Sequence, residues 1–417
     1  MSHGKRLRQR LHRAVFPETW SDLVPGNQLS LLQNGEAYFP ALEAALDRAR
    51  QEIYLESYIY ENDATGQRIA EALKRAAGRG VNVYLLIDGY GSKDLPRSVL
   101  VALREGGVKA LVFRPKISPW TLQRQRLRRM HRKIAVVDRE IAFVGGINII
   151  DDRPSPGDLL PRYDYAVAVQ GPLVETIRLS ARRLWSLVAW SHLRTGTVRG
   201  GGLPPVAAGA GEMRAAFVVR DNVRHRQDIE AVYLRAIAQA QSEIILAHAY
   251  FLPGPEFRHA LIKAAGRGVR VVLLLQGKME FFLQHFASRA LYDNLLAADI
   301  EIYEYRKSFL HAKVAVVDGH WATVGSSNID PFSLLLSREA NLVVDDATFA
   351  ATLTQSLKQT VESDAIRILR DNWQQQPALF RLASRLSYGV LRLMLGISGF
   401  NRKPVGDSRQ RIEEDRL

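Results

Sequence analysis

An eight-residue pattern that occurs twice limits how this chain of 417 residues can fold. The stretch HRKIAVVD (131–138) returns 180 residues later as HAKVAVVD (311–318). Two further pairs match at offsets of 188 and 191 residues, namely AAGRGVNVYLLIDG (76–89) with AAGRGVRVVLLLQG (264–277) and EIYLESYIY (52–60) with EIILAHAYF (243–251). Because the offset drifts slowly, the sequence indicates one large duplication with loop insertions, not a short solenoid repeat.

Each copy predicts the same order of helices and strands. A helical pattern leads into an apolar strand, and a second helix ends at the glycine of AAGRG before the next strand, as C-capping requires. This alternation predicts an α/β sandwich in each half, with the halves packed as a pseudo-dimer. The predicted segments are a basic N-terminal arm (1–26), a first half (27–194), a linker rich in Gly, Ala and Pro (195–213), a second half (214–370) and a basic amphipathic tail (371–417).

The repeated pattern places a histidine and a lysine on one face of a strand, because residues i and i+2 project to the same side. An ammonium beside an imidazole repels a metal cation but suits an anion such as a phosphate. The aspartate lies five residues past the lysine, so on a regular strand it faces away from the pocket as a structural carboxylate. The motif residues are His131, Lys133 and Asp138 in the first copy, and His311, Lys313 and Asp318 in the second.

One histidine and one lysine are too few groups to cleave a phosphodiester, because the attacking and the leaving oxygen both need help. Two facing copies supply one imidazole to attack phosphorus and another to protonate the leaving oxygen. The lysines, Asn148, Asn328 and the amides of the small-residue turns at Gly146 and Ser326 are expected to hold the non-bridging oxygens. The duplication therefore predicts an active site at the pseudo-twofold interface.

The pattern HxKxxxxD followed by a GG or GS turn and an asparagine, present twice, resembles the phospholipase D superfamily. The flanking text is similar to the bacterial cardiolipin synthases, especially their shorter B type. The resemblance covers roughly residues 27–345 and rests on LLQNGEAYFPALEAAL, LESYIY, DGYGS, MHRKIAVVD, AYFLPG, HWATVGSSNIDPFSL and REANLVV.

The resemblance implies a transfer reaction through a phosphohistidine. His131 would attack the phosphate of one phosphatidylglycerol, and His311 would protonate the departing glycerol. His311 would then deprotonate the hydroxyl of a second phosphatidylglycerol, giving cardiolipin and glycerol. The intermediate conserves the bond energy, so no nucleotide, metal or other cofactor is expected.

The resemblance also implies a carboxylate downstream of each motif that orients its histidine. Asp164 and Glu339 lie 33 and 28 residues past their histidines, and each begins a strand-like run. A carboxylate on the far ring nitrogen would fix the tautomer and stabilise the imidazolium. The alternative for each position is a surface carboxylate.

Two further polar residues fall on the repeated strand LESYIY and LAHAYF, where Glu56 and His248 are taken as paired positions. They either line the pocket or are hydrogen-bonded polar residues at a strand end. Tyr58 and Tyr250, on the same stretches, are expected to be packing residues.

The composition indicates an anionic partner, since 57 Lys and Arg against 43 Asp and Glu give a net charge of +14. The absence of cysteine excludes disulfides, thiolate nucleophiles and Cys-ligated zinc. No secretory signal is recognised, and no apolar stretch reaches the roughly 18 residues of a spanning helix. We therefore expect a peripheral protein on the cytoplasmic side of the inner membrane, bound to anionic phospholipids such as phosphatidylglycerol and cardiolipin.

Three basic segments are candidates for that membrane contact. The tail stretch 379–403 is the favoured anchor, with a helix docked on the body as its alternative. In 114–133, three apolar residues interleave with the charges. The residues in question are Trp120, Leu122 and Leu127 in that stretch, and Lys5, Arg6, Arg8, Arg10 and Arg13 in the N-terminal arm.

Other functions fit the same residues. A phospholipase D-type hydrolase would use water as acceptor, and a headgroup-exchange enzyme would use another donor such as phosphatidylethanolamine. A nucleic-acid phosphodiesterase fits the charge, but no nucleic-acid-binding module is recognised, so no nucleic-acid partner is expected. A non-enzymatic lipid-binding scaffold would be expected to lose a motif residue, and both motifs are intact. The oligomeric state is not predicted.

Overall fold

The structure is a computed structural model that describes residues 23–114, 128–151, 161–191, 209–222 and 224–397. The basic run of the N-terminal arm, the stretch around Trp120, most of the predicted linker and the end of the tail lie outside these residues. The membrane contacts assigned to those segments therefore stay predictions.

The first half consists of seven strands and four helices in the described ranges. They are β1 (Val24–Gln33), α1 (Asn34–Arg48), β2 (Glu52–Ser57), α2 (Ala64–Gly78), β3 (Asn82–Asp88), α3 (Arg97–Glu105), β4 (Lys109–Phe113), β5 (Ile134–Val137), β6 (Ile141–Gly145), β7 (Tyr165–Gln170) and α4 (Leu173–Ser191). Strand β1 begins ahead of the predicted boundary at residue 27.

The second half repeats this order, with extra short helices between its strands and further elements at its end. They are β8 (Met213–Arg220), α5 (Asp228–Gln239), β9 (Glu243–His248), α6 (Pro255–Gly266), β10 (Arg270–Gln276), α7 (Phe282–Arg289), α8 (Tyr292–Leu296), β11 (Glu301–Tyr305), β12 (Lys313–Val317), β13 (Trp321–Gly325), α9 (Pro331–Leu335), β14 (Glu339–Asp345), α10 (Ala347–Asp364), β15 (Ala365–Ile368), α11 (Arg370–Gln374) and α12 (Ala378–Ile397).

All the described strands belong to one mixed sheet with two equivalent halves. The first half runs β1-β7-β6-β5-β2-β3-β4, and the second runs β8-β14-β13-β12-β9-β10-β11 with β15 at its edge. The half-sheets join where β1 and β8 pair antiparallel. The matching order confirms the duplicated α/β architecture predicted from the sequence, and it places the motif strands β5 and β12 at the centre of their half-sheets.

The repeated AAGRG segments end their helices in the same way. Gly80 and Gly268 adopt φ angles of +87° and +90°, which a residue without Cβ tolerates. Their amides donate to the carbonyls of Ala77 and Ala265 at 2.9 Å each. These glycines stop α2 and α6 and turn the chain directly into β3 and β10, as the sequence predicts.

The sheet is buried on both faces. In β5, Ala135 and Val137 point into an outer apolar cluster with α1, α2 and α3. Ile134 and Val136 point into a central cluster that both halves share and that α4 and α10 cover. Burial on both sides explains why the motif strands are continuous apolar runs and not alternating ones.

The tail contains α12, which packs against α7. Within the described ranges, no helix is both long enough and apolar enough to cross a membrane.

Candidate active site

The two histidines lie where the halves meet, each held by the backbone of the opposite half. The amide of His131 donates to the carbonyl of Arg338 at 2.9 Å, and the amide of His311 donates to the carbonyl of Tyr163 at 2.8 Å. Arg338 and Tyr163 come just before the predicted supporting carboxylates, Glu339 and Asp164. The backbone therefore brings each histidine to the carboxylate of the other half.

The side chains also pair each histidine with a carboxylate of the opposite half. Nδ1 of His131 lies 3.0 Å from Oε2 of Glu339, and Nδ1 of His311 lies 2.5 Å from Oδ2 of Asp164. The sequence interpretation, which assigned each carboxylate to the motif preceding it in the chain, is wrong on this point. The strands that Glu339 and Asp164 enter, β14 and β7, adjoin the β8–β1 junction, so their leading ends face the partner half.

His131 has a second contact that fixes its tautomer. Its Nδ1 lies 3.1 Å from the carbonyl oxygen of Ser326. A carbonyl only accepts, so Nδ1 carries the proton and Nε2 keeps its lone pair. Burial lowers the pKa of His131, although the Glu339 carboxylate opposes that shift. The resting ring is therefore a neutral imidazole with a nucleophilic Nε2.

His311 and Asp164 form the shorter of the two histidine–carboxylate pairs. Burial raises the pKa of Asp164 to about 6, with the Lys313 ammonium opposing the shift. Burial, followed by the positive charge of Lys313, holds the pKa of His311 well below its ordinary value. The side chain of His311 is only 12% exposed. The resting His311 ring is therefore neutral, and the adjacent Asp164 carboxylate would stabilise the imidazolium once the ring takes up a proton.

The motif lysines are almost fully buried and reach back to their own histidines. Nζ of Lys133 donates to the carbonyl of His131 at 2.6 Å, and Nζ of Lys313 donates to the carbonyl of His311. Nζ of Lys313 also lies 3.7 Å from Oδ2 of Asp164. Burial lowers the pKa of Lys133 to about 7 and that of Lys313 to about 8. A bound phosphate would return both to the charged form.

The asparagines differ between the halves. Oδ1 of Asn148 accepts a hydrogen bond of 3.1 Å from the amide of Ile59. Oδ1 of Asn328 is buried and has no hydrogen-bond partner among the described residues. Both side chains are nearly inaccessible, at 4% and 3% exposed. Holding the chain near the site is established for Asn148, while a contact with phosphate stays a prediction for both.

The turn amides do not serve as predicted. The amide of Gly146 donates to the carbonyl of Tyr165 at 2.9 Å, and that of Ser326 donates to Ala340 at 3.0 Å. These two amides, which were expected to donate to phosphate oxygens, therefore donate to neighbouring strands instead. The two residues support the carboxylates instead. Oγ of Ser326 donates to Oε2 of Glu339 at 2.6 Å.

Gly146 acts through its lack of a side chain. A Cβ at this position would lie 2.3 Å from Oδ1 of Asp164, closer than real Cβ contacts come. Only glycine therefore lets Asp164 approach His311.

The motif aspartates lie at the far ends of their strands. Asp138 accepts the amides of Arg50, Gln51 and Glu52 at 2.8–3.0 Å. Asp318 accepts the equivalent amides of residues 241–243 at 2.8–3.0 Å. Each carboxylate ties the turn before β2 or β9 to the end of the motif strand, away from the histidines.

Glu56 and His248 are not equivalent positions, and Glu56 does not line the pocket. Sheet register pairs Glu56 with Ile134 but His248 with Lys313, so the two lie one residue apart in the repeat and face opposite sides. Glu56 forms a buried bidentate ion pair with Arg132 at 2.7 and 2.9 Å. This is the hydrogen-bonded alternative named from the sequence.

His248 is completely buried beside the aromatic core of the second half. Its Nε2 lies 3.5 Å from the hydroxyl of Tyr233. Burial lowers its pKa to about 3, so the ring is neutral. His248 and Lys313 are register partners on β9 and β12, so their side chains lie on the same face of the sheet.

Several site residues were missed from the sequence. The ring of Tyr58, predicted to be only packing, lies 4.7 Å from the ring of His131. Asp88 accepts the amide of Met130 at 2.8 Å, and Gln276 accepts the amide of Leu310 at 3.3 Å. Met130 and Leu310 precede the two histidines. The repeated ends LLIDG and LLLQG were the available signal, since both place a side-chain acceptor before a glycine.

With this geometry in place, comparisons with known proteins decide the family. The family model described as "Cardiolipin synthase, PLD-like domain" matches residues 42–155 and 233–361. The chain belongs to this family. The two matched segments fall in the two structural halves, and the membership confirms the family identified from the sequence.

Curated relatives agree with the family. Cardiolipin synthase B of Salmonella typhi is 42% identical over 353 residues, which are 82% of this chain and 82% of that protein. Cardiolipin synthase B of Escherichia coli K12 is 40% identical over the same share of each chain. A cardiolipin synthase of Geobacillus kaustophilus is 32% identical and aligns over 87% of this chain and 71% of its own length.

Solved structures share the fold. Phosphatidylserine synthase of Haemophilus influenzae Rd KW20 superposes with a TM-score of 0.64, at 13% identity, covering 95% of this chain and 99% of that one. Polyphosphate kinase of Porphyromonas gingivalis gives a TM-score of 0.52 at 14% identity, covering 90% and 54%. At these identities the likeness concerns the fold alone.

Proposed function

We propose that the chain is a phosphatidyltransferase that joins two phosphatidylglycerol molecules into cardiolipin and releases glycerol. One observation carries this proposal. Two mostly buried histidines lie where the halves meet, each bound through Nδ1 to a carboxylate of the opposite half and each accompanied by a buried lysine. Relatives named cardiolipin synthase B, about 40% identical over most of the chain, support the choice of substrate.

In the first step, Nε2 of His131 attacks the phosphorus of the donor lipid. The bond between phosphorus and the headgroup glycerol oxygen breaks, and the His311–Asp164 pair gives its proton to that oxygen. Lys133 and Lys313 neutralise the non-bridging oxygens as charge moves onto them. The products of this step are free glycerol and a phosphatidyl group on His131.

In the second step, the terminal hydroxyl of another phosphatidylglycerol enters. Nε2 of His311 takes its proton, the oxygen attacks phosphorus, and the phosphorus–nitrogen bond to His131 breaks. The His311–Asp164 pair thus recovers the proton it gave, and His131 returns to its starting state.

The assignment of roles rests on the asymmetry between the two histidines. The Ser326 carbonyl keeps the Nδ1 proton of His131 in place, which leaves Nε2 as a nucleophile. Oδ2 of Asp164 lies 2.5 Å from Nδ1 of His311, where a carboxylate stabilises the imidazolium form that carries a proton on Nε2. These features favour His131 as nucleophile and His311 as acid and then base.

The same proposal places the protein at the cell membrane, bound peripherally on the cytoplasmic side of the inner membrane. Its partners there are anionic phospholipids, chiefly phosphatidylglycerol and the cardiolipin it makes. A chain with a net charge of +14 is attracted to such a surface.

Product analysis tests the function. The purified chain is incubated with vesicles of labelled phosphatidylglycerol, and the lipids are separated, with His131→Ala as control. Cardiolipin with free glycerol, absent in the control, is the expected result. Phosphatidic acid alone would show that water is the acceptor. If phosphatidylglycerol stayed unchanged while phosphatidylethanolamine or nucleic acid was turned over, the proposal would be refuted in favour of that substrate.

A further inference from the structure

The exposed apolar side chains are concentrated in one region of the second half. Ten of the fourteen exposed large apolar residues in the described ranges lie between positions 279 and 393. We call this set the apolar face; it consists of Met279, Phe281, Phe282, Ile366, Leu369, Leu379, Leu382, Leu386, Val390 and Leu393. A concentration of this kind marks an interaction surface and not a random scatter.

Half of the apolar face lies on α12. Its five residues, Leu379, Leu382, Leu386, Val390 and Leu393, recur every three or four positions, so they form one stripe. They are 47–81% exposed. A helix that only docks on the body carries mainly polar residues on its outer side, whereas the outer side of α12 also presents this apolar stripe.

The opposite side of α12 is already occupied. Leu391 is 1% exposed and belongs to the outer core of the second half. The ring of Phe380 lies 5.2 Å from that of Phe286 and 5.7 Å from that of Trp373. The helix is therefore fixed to the protein and presents its second apolar stripe outward.

The other half of the apolar face is continuous with α12. Met279, Ile366 and Leu369 line one groove together with Phe286 and Phe380. Because Phe380 belongs to α12, the groove connects the loop before α7, strand β15 and the helix. These three residues and α12 therefore meet at one groove.

The positive charges beside the apolar stripe indicate an anionic partner. The sequence of α12 contains Arg381, Arg385 and Arg392 and has no aspartate or glutamate. An apolar stripe flanked by arginines suits the interface of an anionic bilayer, where the leucines enter the acyl boundary and the guanidinium groups meet phosphates. A second copy of the chain fits less well, because a twofold contact would bring these arginines against each other.

The apolar face is also connected to the active site through a short series of side-chain contacts. The ring of Phe281 lies 5.9 Å from that of Tyr250, whose hydroxyl donates to Glu280 at 2.5 Å. Glu280 lies 3.8 Å from Arg162, two residues before the Asp164 that holds His311. A few contacts therefore connect the exposed aromatic loop to the general acid.

We propose that the apolar face docks on an anionic lipid bilayer, with α12 lying in the plane of the interface and the His311 side of the cleft turned toward the lipid. The inference rests on the proposed function, because a lipid substrate is what requires the cleft to face a bilayer. The occupant is the membrane surface itself.

Vesicle sedimentation tests the surface without any enzymatic readout. The full chain is mixed with phosphatidylcholine vesicles that contain or lack phosphatidylglycerol. The variant Leu382→Gln/Leu386→Gln is expected to bind at least about tenfold more weakly, because two exposed leucines that would enter the bilayer are lost. The matched control, Val101→Gln/Leu187→Gln, replaces two exposed apolar residues outside the face and should bind like the wild type. Equal binding of the leucine variant and the wild type would overturn the proposal.

A second variant covers the case in which the leucine variant does not fold. Arg381→Gln/Arg385→Gln keeps the apolar stripe and should lose several-fold in binding to vesicles with phosphatidylglycerol, but little with phosphatidylcholine alone. Unchanged binding of this variant to anionic vesicles would also overturn the proposal.

Two further readouts separate this inference from its alternatives. With phosphatidylglycerol dispersed in detergent, the leucine variant should turn over like the wild type, since its substitutions lie outside the cleft. A wild type that binds vesicles through the apolar face but makes no cardiolipin would refute the proposed function and leave the surface intact. A dimer in gel filtration that the leucine variant dissociates, with vesicle binding unchanged, would assign the face to a second copy.

Discussion

Glu339 holds Nδ1 of His131 at 3.0 Å across 208 positions of sequence. Asp164 holds His311 in the same way from the other direction. Neither half of the chain therefore contains a complete histidine–carboxylate pair of its own.

The crossed pairs predict that each carboxylate serves the histidine of the opposite half. We expect Glu339→Gln to lower kcat by about 10²- to 10⁴-fold, because an amide does not stabilise the imidazolium that a nucleophilic His131 passes through. KM should change little. The matched control is Glu175→Gln, which alters an ion pair outside the site. Full activity of Glu339→Gln would refute this role.

Trapping the intermediate distinguishes the two histidines. With phosphorus-labelled donor lipid, His311→Ala should accumulate label on residue 131. Without His311, glycerol still departs slowly in the first step, but no base activates the acceptor hydroxyl in the second step. His131→Ala should remain unlabelled. Mass spectrometry of the acid-sensitive phosphopeptide locates the label. Label on residue 311 in the His131→Ala protein would reverse the assignment.

The buried Lys313 should lower the unfolding free energy of the protein, although it contributes to binding of the phosphate substrate. Burial lowers its pKa from 10.5 in the unfolded chain to about 8. The unfolded state then binds more protons between about pH 8 and 10, so the unfolding free energy rises with pH across that window. We expect Lys313→Met to be inactive yet more stable by about 1–3 kcal/mol at pH 7, with a flatter pH dependence.

Urea unfolding at pH 7 and near pH 10 measures the lysine effect. Lys109→Met, at an exposed position, is the control and should leave the pH dependence unchanged. A Lys313→Met protein that is less stable than the wild type at pH 7 would contradict the expectation.

Gly146 should tolerate no side chain. We expect Gly146→Ala to reduce kcat by at least about tenfold, because a Cβ 2.3 Å from Oδ1 of Asp164 displaces that carboxylate from His311. Gly78→Ala is the matched control, since its Cβ meets no atom within 4 Å, and it should be active and equally or more stable. Steady-state kinetics with both variants check the difference. Wild-type kinetics for Gly146→Ala would show that Asp164 is not held this tightly.

Glu56 should matter for stability and not for chemistry. Glu56→Ala leaves the buried Arg132 guanidinium without its carboxylate, which costs about 3–5 kcal/mol. Asp47→Ala, which breaks an exposed pair with Arg75, should cost less than about 1 kcal/mol. Chemical denaturation gives the two free energies. If the folded fraction of Glu56→Ala had lost activity per molecule, Glu56 would belong to the site after all.

The sequence was sufficient to predict the duplication, the α/β halves and the family, because each depends on local patterns that repeat along the chain. It was not sufficient to assign Glu339 to His131, because that contact depends on how two half-sheets join at β1 and β8. The prediction that Glu56 and His248 are equivalent positions was wrong, because the two are offset by one residue in the repeat. Only strand register distinguishes Glu56 beside Ile134 from His248 beside Lys313.

The turn amides failed for a different reason. The amides of Gly146 and Ser326 were expected to donate to the non-bridging phosphate oxygens, but backbone donors at strand ends usually bind the neighbouring strand. Tyr58 was underestimated because a tyrosine in an apolar stretch of sequence has the same pattern whether it packs in a core or beside a catalytic ring.

The exchange of carboxylates has a consequence for how such a chain arises. A protein with a single copy of the motif would possess a histidine and a carboxylate that do not meet, and two such molecules would have to associate about a twofold axis before either pair formed. Joining the copies in one chain makes that association permanent. It also releases the two copies from identity, so that one pair now contains a glutamate and a serine carbonyl while the other contains an aspartate alone. Only a fused pair can give the nucleophile and the acid surroundings that differ in amino-acid sequence.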